Sequence, residues 1–212
     1  MPPESRDVLP PTDLPDLGTL PLLTPFMAIR RYFLGAGLMQ HEAYVLQFNA
    51  VRLADCALAE YSAARDVIAK FHSDHSSPGV HYYHRASGHL ENCIWAIERF
   101  VKHAKALRSA QFVPPDLATL IPRKASFLQS KVESRITRMR HTLAHLEGAA
   151  LKGELPEGSS IALLPLKSGL TVATHVIQWS ELTQWLKDIN ASASLLADYR
   201  ASPGFPTDVP AA

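Results

Sequence analysis

The sequence predicts a mainly α-helical protein, an antiparallel bundle of four or five helices with a β-hairpin appended before the last helix. Apolar residues recur every three or four positions through several long segments, which is the spacing of a helix face turned toward a core. Short connections join these segments, as in antiparallel bundles. After Gly148 the pattern changes to two apolar runs separated by a Lys-Ser-Gly turn, which predicts the hairpin.

A chain of 212 residues is long enough for one domain with its own core. Residues 1–23 hold six of the sixteen prolines and no periodic pattern, so they predict a disordered or extended lead-in. The helical domain is then expected to span 24–200, with the hairpin at about 160–179. The tail 201–212 is expected to be disordered.

The first helices are marked by their start signals and apolar stripes. Thr24 followed by Pro25 is typical of a helix start, with threonine as N-cap and proline at the first helical position, and a strand is the alternative for this segment. A long helix is predicted from about 41 to 72, and a core helix from about 87 to 109.

The second half carries a further helix, the hairpin and a last helix. The stripe of the further helix is Leu128, Val132, Ile136, Met139, Leu143 and Leu146. In the hairpin, Pro165 predicts that the first strand is bulged or lies at an edge, because proline lacks the amide donor. Ser180 is expected to cap the last helix, which runs to about 200.

Charge and cysteine content restrict the function classes. The net charge is only +1, so any contact with nucleic acid has to come from a local cluster. Residues 123–140 supply one, with six cations against Glu133; it fits a solvated helix face and a phosphate-binding face equally well. The two cysteines lie in apolar helical segments without a CxxC pattern, as expected of buried thiols in a reducing compartment. No run approaches the roughly 20 apolar residues of a membrane span, so a soluble, cytoplasmic protein is expected.

A polar segment from His72 to His89 holds five of the ten histidines together with Tyr82 and Tyr83, and it is expected to be a loop. The pairs His72/His75 and His81/His84 have the spacing of metal ligands, but no cysteine joins them. A polar loop without metal, or a cleft that stacks and hydrogen-bonds single-stranded RNA, is the alternative interpretation.

The segment 135–148 is the part of the chain that most suggests chemistry. On an ideal helix Ser134, Arg138, His141 and His145 fall within a sector of about 60°, away from the apolar stripe. Arg140 lies about 140° around the helix from His145.

The hexapeptide RHTLAH, from Arg140 to His145, resembles the Arg-polar-x3-His signature of HEPN domains. The resemblance implies a late helix of an all-α bundle that commonly forms a homodimer, with two motifs facing each other across the interface. Many members are metal-independent ribonucleases, some of them toxins with an antitoxin partner, whereas others only bind. On this pattern His145 is the acid/base, Arg140 clamps the phosphate and His141 is the auxiliary polar residue.

Supporting residues are suggested by the cation cluster and the helix geometry, and by the resemblance. Arg138, Arg135 and Lys131 are expected to contact RNA phosphates, Arg138 being placed to act as clamp if the helix is straight. The segment from Glu91 onward resembles the second long helix of HEPN bundles, where Glu91 and Asn92 either support the site or are ordinary first-turn residues. No cofactor is expected.

Two other interpretations remain open. The chain can be a non-catalytic HEPN-like bundle whose Arg and His residues only bind a partner. Alternatively, His141 and His145, four residues apart, can hold a metal as in DinB-like bundles, although the sequence offers no convincing third ligand.

Overall fold

The computed structural model describes residues 14–34, 40–73, 80–155 and 160–200. Within these ranges the chain is mainly helical, with a small antiparallel sheet before the last helix, as the sequence predicts. The helices are α1 (Thr24–Leu34), α2 (His41–Ser73), α3 (Val80–Ser109), α4 (Pro115–Thr119), α5 (Ser130–Leu151) and α6 (Trp179–Asp198), with one 3-10 turn (Ser126–Leu128) before α5. The strands are β1 (Ser160–Pro165), β2 (Gly169–Ala173) and β3 (His175–Gln178).

The two longest helices, α2 and α3, pack against each other along most of their length and form the centre of the core. Phe100 of α3 is fully buried and meets Phe127 of the 3-10 turn edge to face, with ring centroids 5.3 Å apart. Aromatic pairs favour this geometry, so the contact fixes the chain just before α5 against the core.

The expected loop from His72 to His89 is largely helical, which corrects the sequence interpretation. Helix α2 continues through Ser73 and α3 begins at Val80, seven residues before the predicted start. Ala86 and Leu90 are buried against the core, and His89 Nδ1 lies 2.7 Å from Glu60 of α2. Tertiary packing therefore overrides the polar composition of this segment.

The start of α1 is capped by a residue distant in sequence. The expected cap, Thr24, is itself the first helical residue, and its hydroxyl is buried without a hydrogen-bond partner in the described ranges. Buried Asp55 of α2 instead accepts hydrogen bonds from the amides of Leu23, at 3.0 Å, and Thr24, at 2.7 Å. The carboxylate satisfies amide groups that the helix cannot satisfy itself.

The predicted hairpin is a three-stranded sheet in the order β1-β2-β3. The second apolar run does not form one strand, because it folds back at Ala173, whose φ of 49° is in the left-handed region. Pro165 lies in the edge strand β1, as its missing amide predicts, and the register of β1 shifts between Ser160 and Leu164. A Cβ at Gly169 would lie 2.1 Å from the carbonyl oxygen of Ile177, so this turn requires glycine.

The ends of the domain differ from the sequence expectations in detail. Helix α6 begins at Trp179, and Glu181 accepts a hydrogen bond from the amide of Gln178, so Ser180 is not the cap. Residues 14–23 have no helix or strand but pack on α2, with Leu14 buried. The remaining lead-in, 1–13, and the tail, 201–212, lie outside the described residues.

Replacing Asp55 with Ala should lower the free energy of unfolding by about 2 to 4 kcal/mol, because two amides lose a charged acceptor in a buried site. Asp55→Asn should cost less, since it keeps one acceptor oxygen. Urea denaturation measures the change, and Asp66→Ala, an exposed carboxylate on the same helix, is the control. An Asp55→Ala protein as stable as the control would contradict the capping role.

Candidate functional site on helix α5

Helix α5 is unbroken from Ser130 to Leu151 and places its apolar stripe against the core. Ile136 and Met139 are fully buried, whereas Leu143 and Leu146 are half-buried at the edge of the core. This confirms the predicted orientation of the helix. His141 and His145 then face away from the core, because five and nine residues place them about 140° and 180° from Ile136.

The outer face of α5 carries three exposed residues with phosphate or proton chemistry: Arg138, His141 and His145. The imidazole rings of His141 and His145 are 4.3 Å apart between centroids and inclined by 56°. Among the described residues neither ring has a hydrogen-bond partner. The structure thus presents two adjacent imidazoles to solvent without a group that orients them.

Arg138 shares this outer face because the helix is continuous. It also lines a recess of about 120 Å³ with Thr174, His175 and Val176 at the turn into β3. The sheet therefore forms one wall beside the exposed face of α5. Arg138 and His141 are three residues apart, so their side chains are neighbours on the helix surface.

Arg140 points to the opposite flank of α5 from His145. Its side chain is half-buried beside α3, and its Nε is buried without a hydrogen-bond partner in the described structure. It lines a groove of about 330 Å³ together with Trp95, Glu98, Arg99, Lys102 and His103. The two ends of the RHTLAH motif are thus not brought together within one chain.

The expected phosphate ligand Arg135 is engaged in an ion pair. Its two terminal nitrogens donate to the two carboxylate oxygens of Glu181, at 2.5 and 2.9 Å, and one also donates to the carbonyl oxygen of Val176, at 2.8 Å. The hydrogen bonds from Arg135 hold the pKa of Glu181 below its usual range. Arg135 therefore joins α5 to α6 and β3, whereas Lys131 is exposed in the first turn of α5.

The two supporting residues expected on α3 have different environments. Glu91 accepts a hydrogen bond from the amide of Leu163 at 3.4 Å, so its carboxylate connects α3 with β1. Asn92 is exposed. Glu91 thus has a structural contact in this chain.

The histidines predicted as metal ligands are distributed over two helices. Of the pairs considered above as metal ligands, His72 lies in the last turn of α2 and His81 and His84 lie on α3, whereas His75 falls outside the described residues. In the described ranges no group of three or more His, Cys, Asp or Glu side chains is arranged to hold a metal ion. Nearby Tyr83 donates to the carbonyl oxygen of Pro165, and burial raises its pKa to about 12.

The groove beside Arg140 contains residues that the sequence interpretation overlooked. Trp95, Arg99 and His103 are spaced by four residues on α3, so they follow one face of the helix at steps of about 40°. The sequence alone therefore indicates that these three side chains share one face of α3. Their proximity to Arg140 is not evident from the sequence, because they lie 37 or more positions before it and only the packing of α3 against α5 brings them together.

Comparison with protein-family models, curated proteins and solved structures found no match to this chain. The HEPN assignment therefore stays a prediction that depends on the motif and the order of the helices. In the described part of the chain, no helix is long and apolar enough to cross a membrane.

Replacing Arg135 with Ala should lower the free energy of unfolding by about 1 kcal/mol at pH 7, since both partners are partly exposed. The loss should shrink as the pH falls below about 4, because a carboxyl with a lowered folded pKa stabilises the protein only while it is ionised. Denaturant unfolding at several pH values measures this. Arg138→Ala, on the exposed face, is the control and should change stability little. A pH-independent loss would contradict the pairing with Glu181.

Proposed function

We propose that this chain binds single-stranded RNA and cleaves it without a metal ion, using the outer face of α5. The observation that carries the proposal is the pair of exposed imidazoles of His141 and His145, 4.3 Å apart and on the same face as Arg138. Histidine exchanges protons near neutral pH, and arginine binds phosphate oxygens through two parallel hydrogen bonds. The three side chains thus supply a base, an acid and a cation on one surface.

The reaction assigned to this face is attack of the RNA 2′-oxygen on the adjacent phosphorus. One imidazole takes the 2′-hydroxyl proton as the new O–P bond forms. The P–O5′ bond breaks, and the other imidazole gives a proton to the leaving 5′-oxygen. Arg138 stabilises the charge that develops on the phosphoryl oxygens. The products are a 2′,3′-cyclic phosphate end and a 5′-hydroxyl end.

Exposed cations beside this face favour an RNA substrate. Arg123, Lys124, Lys131 and Arg138 are all exposed and lie in or just before α5. Phosphate contacts of this kind weaken steeply with added salt because bound counterions are released. Binding is therefore expected to depend strongly on ionic strength.

The decisive experiment is cleavage of a labelled single-stranded RNA pool in excess EDTA. His145→Ala and Arg138→Ala should each lower the cleavage rate by about 100-fold or more, the usual contribution of a proton-transfer or charge-stabilising group. His41→Ala, an exposed histidine at the start of α2, is the matched control and should cleave normally. Circular dichroism establishes that each variant is folded. Full activity of His145→Ala would contradict the assignment.

The HEPN resemblance adds a homodimeric form of the proposal, in which Arg140 of one protomer acts with His145 of the other. Arg140→Ala and His145→Ala proteins, each inactive alone, would then regain about a quarter of the wild-type activity when subunits are mixed, because half of the dimers carry one intact composite site. If Arg140→Ala is active by itself and mixing the subunits restores no activity, the dimeric form is wrong. Arg138 of the same chain is then the arginine that stabilises the phosphoryl oxygens. Sedimentation analysis establishes whether dimers form and exchange.

A second candidate is a non-catalytic binding bundle, and one observation favours it. In the described structure no hydrogen bond orients His145, whereas a catalytic imidazole is usually held by a third group. A folded protein that binds the RNA pool but leaves it intact in EDTA would support this candidate. Growth arrest on expression of the wild-type chain, relieved by His145→Ala, would instead support a toxin that needs a protein antitoxin.

A further inference from the structure

The groove between α3 and α5 lies on a different flank of α5 from the outer face of the same chain and has its own chemistry. It measures about 330 Å³, near the lower end of the size range of ligand pockets. One wall is the Trp95–His103 face of α3, and the other is Arg140 of α5. Its residues do not overlap with Arg138, His141 and His145.

The groove carries an excess of positive charge. Arg99, Lys102 and Arg140 are permanent cations, and Glu98 is the one carboxylate among the lining residues. Glu98 is buried and already neutralised by Lys102, whose Nζ lies 2.5 Å from its carboxylate oxygen. The remaining two arginines leave a net charge of +2, which matches the two charges that a phosphate monoester approaches at neutral pH.

Arg140 has hydrogen-bonding capacity that the protein leaves unused. Its Nε is buried and has no hydrogen-bond partner among the residues that the structure describes, and an unsatisfied buried donor costs free energy. A phosphate in the groove would accept from the terminal nitrogens of this guanidinium, and Nε, which has almost no exposed surface, would take part only after the side chain turns toward the groove. Arginine binds phosphate preferentially in this two-point manner.

His103 can provide one further donor or acceptor. Its Nδ1 lies 2.9 Å from the carbonyl oxygen of Arg99. A carbonyl only accepts, so Nδ1 carries the hydrogen and Nε2 is the nitrogen left for a ligand. The backbone contact thereby holds the ring in place on the α3 wall.

Trp95 and Arg99 form a stacked surface at the same place. The guanidinium carbon of Arg99 lies 4.6 Å from the centre of the Trp95 ring, and the Trp95 residue is 44% exposed. Unpaired bases stack on indole rings and on arginine guanidinium planes.

We infer that the groove binds the terminal phosphate monoester of a single-stranded RNA, with the end base stacked against Trp95 and Arg99. An internal phosphodiester carries a single charge, so it matches the groove less well than a monoester does. The inference rests on the proposed function only in taking RNA as the partner. It makes the groove a site that anchors RNA ends beside the cleavage face.

The test is equilibrium binding of short labelled ribonucleotides in EDTA, with His145→Ala protein so that the probes stay intact. One probe set carries a 5′-phosphate or a 5′-hydroxyl, and a second carries a 3′-phosphate or a 3′-hydroxyl. One of the two phosphorylated ends should bind about tenfold more tightly than its hydroxyl counterpart, from the added charge-assisted hydrogen bonds. Arg140→Ala should remove this preference, whereas Arg85→Ala, an exposed arginine elsewhere on α3, should retain it.

The base contact and the source of the phosphate are tested separately. Trp95→Phe should retain most of the binding and Trp95→Ala should lose it, since only the first keeps a ring. Equal binding of phosphate and hydroxyl ends, or an unchanged preference in Arg140→Ala, would overturn the inference. So would adenosine monophosphate binding as tightly as the phosphorylated oligomer, because the ligand would then be a free nucleotide. Absence of RNA cleavage by wild-type protein would count against the proposed function but leave this preference measurable.

Discussion

Burial of Ile136 and Met139 is the constraint on which the arrangement of both surfaces depends. Packing these two side chains against the core fixes the rotation of α5 about its own axis. Every other residue of the helix then has a set direction: Arg140 lies about 40° from Ile136, whereas His141, His145 and Arg138 lie about 140° to 200° away. Apolar burial thus separates the arginine of the motif from its histidines.

Two ion pairs, one on each side of α5, help to hold the helix in that orientation about its axis. Glu133 in the first turn of α5 pairs with Lys105 of α3 at 2.7 Å, and Arg135 pairs with Glu181 of α6. Partly exposed pairs contribute little stability individually, so their effect is mainly on orientation. These pairs also engage Glu133 and Arg135, whose partners are not evident from the sequence. Because Arg135 is paired with Glu181, the folded protein has fewer unpaired cations in the cluster of residues 123–140 than the sequence indicates.

The separation of Arg140 from His145 gives the chain two chemically different surfaces. The outer face of α5 offers proton-transfer groups in water, without oriented partners. The groove beside α3 offers fixed cations, a buried donor that no described residue pairs with, and an exposed indole. The first arrangement suits chemistry on a phosphodiester, and the second suits binding of an anion. A ribonuclease that engages an RNA end needs both properties, and a binding protein needs only the second.

The sequence by itself determined the helical class, the orientation of α5 and the edge position of Pro165, because periodicity and the missing amide of proline act locally. It also singled out Arg138, His141 and His145 as one face, since three residues on one helix follow from its pitch. Only the tertiary structure decided that Asp55 caps α1, that Glu181 engages Arg135, and that Arg140 joins Trp95, Arg99 and His103. These contacts join residues 31 or more positions apart, and a local pattern carries no information about which distant side chains the packing of helices will bring together.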